Sequence, residues 1–318
     1  MMPLQQTDSG HTNLQIWRGG RSYESQKGAI YRREWNNIVF TGAPRASEEE
    51  NVIQFDIRQP LPHSDRVFDA VFLFHIVEHL TTTEAESFLR EIYRVLKPSG
   101  IVRLSTPDLE DICRAYLNRL EQYDESPSSS NLVKYEWSVL ELLDQIARLR
   151  CGGLMRDYIR NEHYDPDYAR ERFGDVFNDF YVPNSKAVER RMPFKEGIYR
   201  FAPRRLFGGV LRRIVGILDR IFLGDNWDDL ETFRRSGELN KWLYDCFSLT
   251  LLLRKTGLCD VSRKTYRTSD IPDWNRFDLD RSTYADHPIE PSLYMEARKP
   301  SDSALLQSPS RADIFTQP

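Results

Sequence analysis

The chain has 318 residues, 40% hydrophobic and 29% charged, a balance typical of globular proteins and enough for one large domain or a core with an insertion. A net charge of -4 gives no general attraction to nucleic acid, and the four cysteines (Cys113, Cys151, Cys246, Cys259) lack metal-ligand spacing. The first twenty residues lack the apolar stretch of a signal peptide, and no apolar run approaches the ~20 residues of a membrane span, so the expectation is a cytoplasmic protein without metal or nucleic acid.

Residues 1–13 read as a disordered lead. Leu14 to Gly20 reads as a first strand with its turn, and Trp35 to Phe40 as a second. Three further apolar runs have strand length: Val52 to Ile57, Ala70 to Ile76 and Ile101 to Ser105. Continuous rather than alternating hydrophobicity predicts strands covered on both faces, as in a parallel sheet. Between the last two runs the spacing predicts a helix, with Ala85, Phe88, Leu89, Ile92, Tyr93 and Leu96 on one face and a capping box from Thr83 and Glu86. Lys97-Pro98-Ser99-Gly100 reads as a turn. Strand, helix, turn and strand form a right-handed crossover unit, whose ligands lie at the carboxyl ends of the strands. Those ends carry Asp56, then His75 with Glu78 and His79, then Thr106 to Asp108.

Asp108 is placed to cap a helix whose apolar face is Leu109, Ile112, Cys113, Tyr116, Leu117 and Leu120. Ser126-Pro-Ser-Ser-Ser130 breaks the chain and opens a helical insertion, 126–235. Within it, Tyr135 to Leu149 reads as a helix stopped by Gly152-Gly153, and Met155 to Arg160 as a second segment. Such an insertion is expected to form a lid over the strand ends. Residues 203–223 form a basic amphipathic stripe with two open readings: a helix packed on the core, or peripheral contact with a membrane surface. Phe247 to Gly257 reads as a helix, and Asp260 to Tyr266 and Ser292 to Ala297 as strands. The core is thus expected over 14–125 and 236–300, with a disordered tail at 301–318.

The run from Phe68 to Leu80, the helix through Leu96 and the sequence Lys97-Pro-Ser-Gly-Ile-Val-Arg-Leu-Ser-Thr-Pro-Asp108 resemble the fourth strand, fourth helix and fifth strand of class I SAM-dependent methyltransferases. The segments Tyr135 to Gly153 and Gly237 to Gly257 are similar to a subgroup found in glycan and small-molecule clusters. The resemblance implies an α/β fold with a doubly wound, mostly parallel, Rossmann-like sheet, and SAM as cofactor. It implies that Gly19 and Gly20 belong to the cofactor loop, that Asp56 lies near the adenine amino group, and that Ile57 and Phe74 line the cofactor site. The sequence departs from the family in two places: Trp17 stands where the first loop glycine is expected, and Val39 or Phe40 where an acidic residue holds the ribose.

Methyl transfer needs the nucleophile and methyl held in line, and an oxygen nucleophile gains from a base. His75 is the candidate base, with Glu78 to orient it; Asp108, His163, Tyr244 and Asp245 are second candidates. Two functions remain open: SAM-dependent O-methylation of a sugar or other small-molecule acceptor, or a methyltransferase-fold protein that has lost SAM and serves as a binding partner or a different catalyst.

Overall fold

A computed structural model describes residues 4, 6–18, 35–40, 52–150, 152–160, 164–174, 177, 233–234, 239–281, 288 and 291–307. Its centre is a seven-stranded sheet built from β1 (Asn13–Arg18), β2 (Asn36–Phe40), β3 (Val52–Phe55), β4 (Phe68–Phe74), β5 (Leu96–Thr106), β6 (Cys259–Lys264) and β7 (Leu293–Arg298). The spatial order is β3-β2-β1-β4-β5-β7-β6. The pairs from β3 through β5 are parallel, and β7 runs antiparallel to both of its neighbours. This is the doubly wound, mostly parallel sheet of the class I methyltransferase fold, with the reversed strand expected near the end of the chain.

Alternate residues of each central strand enter two apolar layers. Leu14, Ile16, Ile38, Val71, Leu73, Val102 and Leu104 pack on one face with Phe88, Leu89 and Ile92 of α1 (Thr82–Val95). Trp17, Val39, Phe72 and Phe74 pack on the other with Trp35 and with Ile271, Trp274, Phe277 and Leu279 from the segment between β6 and β7. Covering both faces explains why the strands read as continuous apolar runs.

Three local expectations need correction. The capping box at the start of α1 is formed by Thr81 and Glu84 rather than Thr83 and Glu86. Three consecutive threonines offer three starts, and the helix takes the earliest, where Glu84 falls at the third helical position. Lys97 to Gly100 is not a free turn but the bulged entry to β5: Leu96 pairs with Phe68, and the register shifts before Ala70 meets Ile101. Ser99 takes a positive φ of 64° there, and a Cβ on Gly100 would stand 2.8 Å from the Lys97 carbonyl oxygen. The helix capped by Asp108, α2 (Leu109–Glu125), buries only Ile112 of its six predicted apolar residues, and Leu117 is exposed. Its partner is α3 (Ser129–Ala147) rather than the sheet, with Tyr116 and Tyr123 against Tyr135.

The insertion has an apolar cluster of its own. Trp137 of α3 packs with Met155, Tyr158 and Ile159 of α4 (Gly153–Arg160) and with Tyr168 and Phe173 of α5 (Pro166–Phe173). Arg172 ties it to α2 through Asp111 and to α3 through Glu141. The basic stripe at 203–223 lies outside the described residues. Among the described residues no helix is long and apolar enough to cross a membrane.

Candidate active site

The carboxyl ends of β4 and β5 meet the start of β7, and the chemistry-bearing side chains gather there. His75 follows β4 with φ 49°, a left-handed conformation uncommon for a residue with a Cβ. Its N–H still donates to the Ser105 carbonyl at 3.0 Å, so the ladder with β5 continues while the side chain is redirected. Backbone of this kind persists only where the surroundings enforce it and collects at functional sites.

Two partners fix the imidazole. Nδ1 lies 3.0 Å from Glu78 Oε1, and Nε2 lies 2.9 Å from Ser292 Oγ. Glu78 sits in the single 3-10 turn Val77–His79 and is 1% exposed. Burial pushes its carboxyl up, but the hydrogen bond and charge of His75, with His79 beyond, outweigh burial and hold it below the usual carboxylate range. An ionised carboxylate only accepts, so Nδ1 carries the proton and Nε2 is left as the acceptor for the Ser292 hydroxyl. Thr106 donates from Oγ1 to Glu78 Oε2 at 3.1 Å and holds the second carboxylate oxygen.

The turn is anchored from outside by the strand-like segment before α6 (Cys246–Lys255). The Glu78 carbonyl accepts from the backbone of Lys241 at 2.7 Å and Trp242 at 3.1 Å, and His79 Nδ1 donates to the Leu239 carbonyl at 3.2 Å. Asn240 bonds Gln145 of α3 through both backbone and side chain, so the insertion is stitched to the same segment. His79 is therefore a structural residue, with 5% of its surface exposed.

The second candidates divide. Asp245 caps α6 in a capping box with Ser248, and Asp108 caps α2 and pairs with Arg263 at 2.9 Å. Burial raises Asp108, and Arg263 opposes the rise. Tyr244 is buried, its backbone bonds Leu109, and burial together with the nearby Glu78 charge pushes its hydroxyl up to about 12. It remains a protonated phenol at every physiological pH. His163 lies outside the described residues, as do Gly19 and Gly20.

At the end of β3, both oxygens of Asp56 receive Arg58, at 2.7 and 2.8 Å. Burial pushes Asp56 up, but the Arg58 bonds outweigh it and keep the carboxylate ionised. A carboxylate has about four acceptor sites, and Asp56 retains 35% exposure, so it can still receive a ligand's donor. Ile57 is 1% exposed in the core and offers a ligand only its backbone. Phe74 is buried, edge-on to the His75 ring at 4.8 Å between centroids. Trp17 pairs with Val39 and Phe74 across the ladder, and its ring lies in the second apolar layer. Trp17, which stands where the first loop glycine is expected, is thus turned into the core by the strand's alternation. Phe40, which closes β2, is also buried and offers no side-chain acceptor.

Ser292 was not among the candidates read from sequence. The available signal was the reversed direction of β7, which brings its first residues beside Thr106 at the carboxyl end of β5.

Residues 37–104 match a family model described as Methyltransferase domain. No curated protein matches the chain. Among solved structures it is similar to a SAM-dependent methyltransferase from Archaeoglobus fulgidus, with 13% identity, 91% of this chain and 87% of that one covered, and a TM-score of 0.34. It is also similar to a protein from Bordetella parapertussis described as a possible exported protein (8% identity, 94% and 63% covered, TM-score 0.34). A third is human N-acetylserotonin methyltransferase in complex with SAM (11% identity, 90% and 48% covered, TM-score 0.31). The chain thus spans less than two thirds of the last two, and scores this low carry no functional argument. The sheet order defines a class I methyltransferase fold, and a methyltransferase-domain signature runs across its central strands, from β2 into β5.

Proposed function

We propose that the protein is a SAM-dependent methyltransferase that methylates a hydroxyl of a sugar or other small molecule. The observation that carries this reading is the Glu78–His75 pair, with a hydroxyl, that of Ser292, already seated on the acceptor nitrogen of the imidazole. SAM, when bound, supplies an electrophilic methyl group. Asp56, the backbone at Ile57 and the glycines of the Gly19-Gly20 sequence are the residues that would hold it; the fit is supported at Asp56 by its partial exposure and its remaining acceptor site. An acceptor hydroxyl takes the place that Ser292 holds and gives its proton to Nε2. Glu78 keeps the tautomer fixed and balances the imidazolium that forms.

A second reading, a fold that has lost SAM, is favoured by one observation: Arg58, through its backbone N–H and its guanidinium, already occupies three acceptor sites of the Asp56 carboxylate. Methyl transfer separates the two. Incubation with methyl-labelled SAM and a panel of monosaccharides and small alcohols is expected to yield a labelled ether with at least one acceptor. Label released only at the rate of SAM alone with every acceptor would favour the second reading.

A further inference from the structure

The Glu78–His75 pair ends on a hydroxyl of the chain itself. Glu78 Oε1 lies 3.0 Å from His75 Nδ1, and Ser292 Oγ lies 2.9 Å from Nε2. A serine hydroxyl within hydrogen-bond reach of an imidazole, which a third group orients, is the arrangement that activates a nucleophile. The carboxylate end is held firmly: Glu78 is buried, and Thr106 Oγ1 donates to its second oxygen at 3.1 Å. The hydroxyl end is reachable. Ser292 lies just before β7 with part of its surface exposed, and the His75 side chain keeps 12% exposure. Ser248 and Ser87 lack this setting. Ser248 gives its hydroxyl to the Asp245 carboxylate in a helix cap, and Ser87 to the Thr83 carbonyl, neither of which takes a proton at neutral pH.

We propose that Ser292 is a nucleophile for acyl transfer from small carboxylic esters, with His75 as its base and Glu78 orienting that base. Ser292 Oγ attacks the ester carbonyl carbon while its proton passes to Nε2. The Oγ–C bond forms, the ester C–O bond breaks, and the leaving alkoxide takes the proton from Nε2. Water then attacks the acyl-serine and gives a proton to Nε2. The carboxylic acid departs, and that proton returns to Oγ. The buried Glu78 carboxylate balances the imidazolium in each half. In methyl transfer the same imidazole takes its proton from a bound acceptor, and Ser292 gives way. In acyl transfer Ser292 is the hydroxyl that reacts. The acyl reaction needs no SAM, so it stands apart from the methyltransferase reading.

The test treats the full-length protein, without SAM, with an alkyl fluorophosphonate and separately with p-nitrophenyl acetate. The fluorophosphonate is expected to label Ser292, located by peptide mass mapping, as an Oγ–P bond forms and fluoride leaves. p-Nitrophenyl acetate is expected to be cleaved with release of p-nitrophenol. Ser292→Ala is expected to remove the label and to bring ester cleavage down to that of the denatured protein. His75→Asn is expected to slow both reactions by about 100-fold or more, the usual loss with a general base. Asparagine tolerates the left-handed backbone that His75 adopts, so this variant keeps the turn. If Ser292→Ala fails to fold, the residue labelled in the wild type and the His75→Asn rates decide. No label on Ser292, label spread over several serines, or labelling as fast in His75→Asn as in the wild type overturns the proposal. Labelling of Ser292 without methyl transfer upholds it and removes the methyltransferase reading. Methyl transfer without labelling does the reverse.

Discussion

His75→Asn is expected to lower kcat by about 100-fold or more, the usual cost of losing a general base. Asparagine keeps a polar group near Glu78 but supplies nothing that takes a proton at neutral pH. The wild-type rate should rise with pH, because only the deprotonated imidazole accepts, and the variant should lose that dependence. Glu78→Gln tests the pair from its other end. A neutral amide no longer fixes the proton on Nδ1, so the rate falls by at least about tenfold while SAM affinity stays the same. Ser292→Ala is the discriminating control. If Ser292 only holds the place of the acceptor hydroxyl, its loss leaves kcat within about threefold, since the acceptor makes the same bond. A loss as large as that of His75→Asn would show that Ser292 takes part in the chemistry and refute the reading that it only holds the place of the acceptor hydroxyl.

Arg103→Met is expected to destabilise the fold by about 3–5 kcal/mol at pH 7.5, the usual cost of breaking a buried ion pair from one side. Arg103 has no exposed surface, although it lies in the middle of β5. Its guanidinium binds Asp280, Glu296 at 2.8 Å, and the carbonyls of Thr265 at 2.8 Å and Thr268 at 2.9 Å, and it stacks on Trp274 at 4.4 Å. It therefore ties the β6–β7 segment to the sheet. Burial already raises the Asp280 carboxyl to about 6, against the attraction of Arg103. A carboxyl whose folded pKa is raised adds most stability below its unfolded value of 3.8 and loses it as pH rises through about 6. Removing Arg103 raises Asp280 further, so the variant's deficit should shrink between pH 7.5 and pH 5. Urea unfolding at the two pH values checks both the size and the sign. A variant as stable as the wild type at pH 7.5 would show that the cluster holds nothing together.

The sheet was legible because strands buried on both faces leave uninterrupted apolar runs, and because a crossover unit admits essentially one handedness. His75 and Glu78 were legible as a pair because they stand three positions apart just past a central strand, where one turn of helix brings both to the strand end. What sequence did not show depends on contacts far along the chain. Arg103 sits 177 residues from Asp280, and nothing local marks its partner, although an arginine within an apolar strand calls for a buried carboxylate. Ser292 reaches His75 across 217 residues, through the reversal of β7. Trp17 was misread for a different reason: its place in a motif suggested a loop, while the alternation of β1 turns it inward.

Calorimetric titration with SAM tests the central claim most directly. Saturable binding is expected in the wild type, and binding at least about tenfold weaker in Asp56→Ala, the loss of one hydrogen bond to a charged group. Absence of SAM binding at millimolar concentration, or an affinity untouched by Asp56→Ala, would contradict the placement of the cofactor on which the proposed methyl transfer rests.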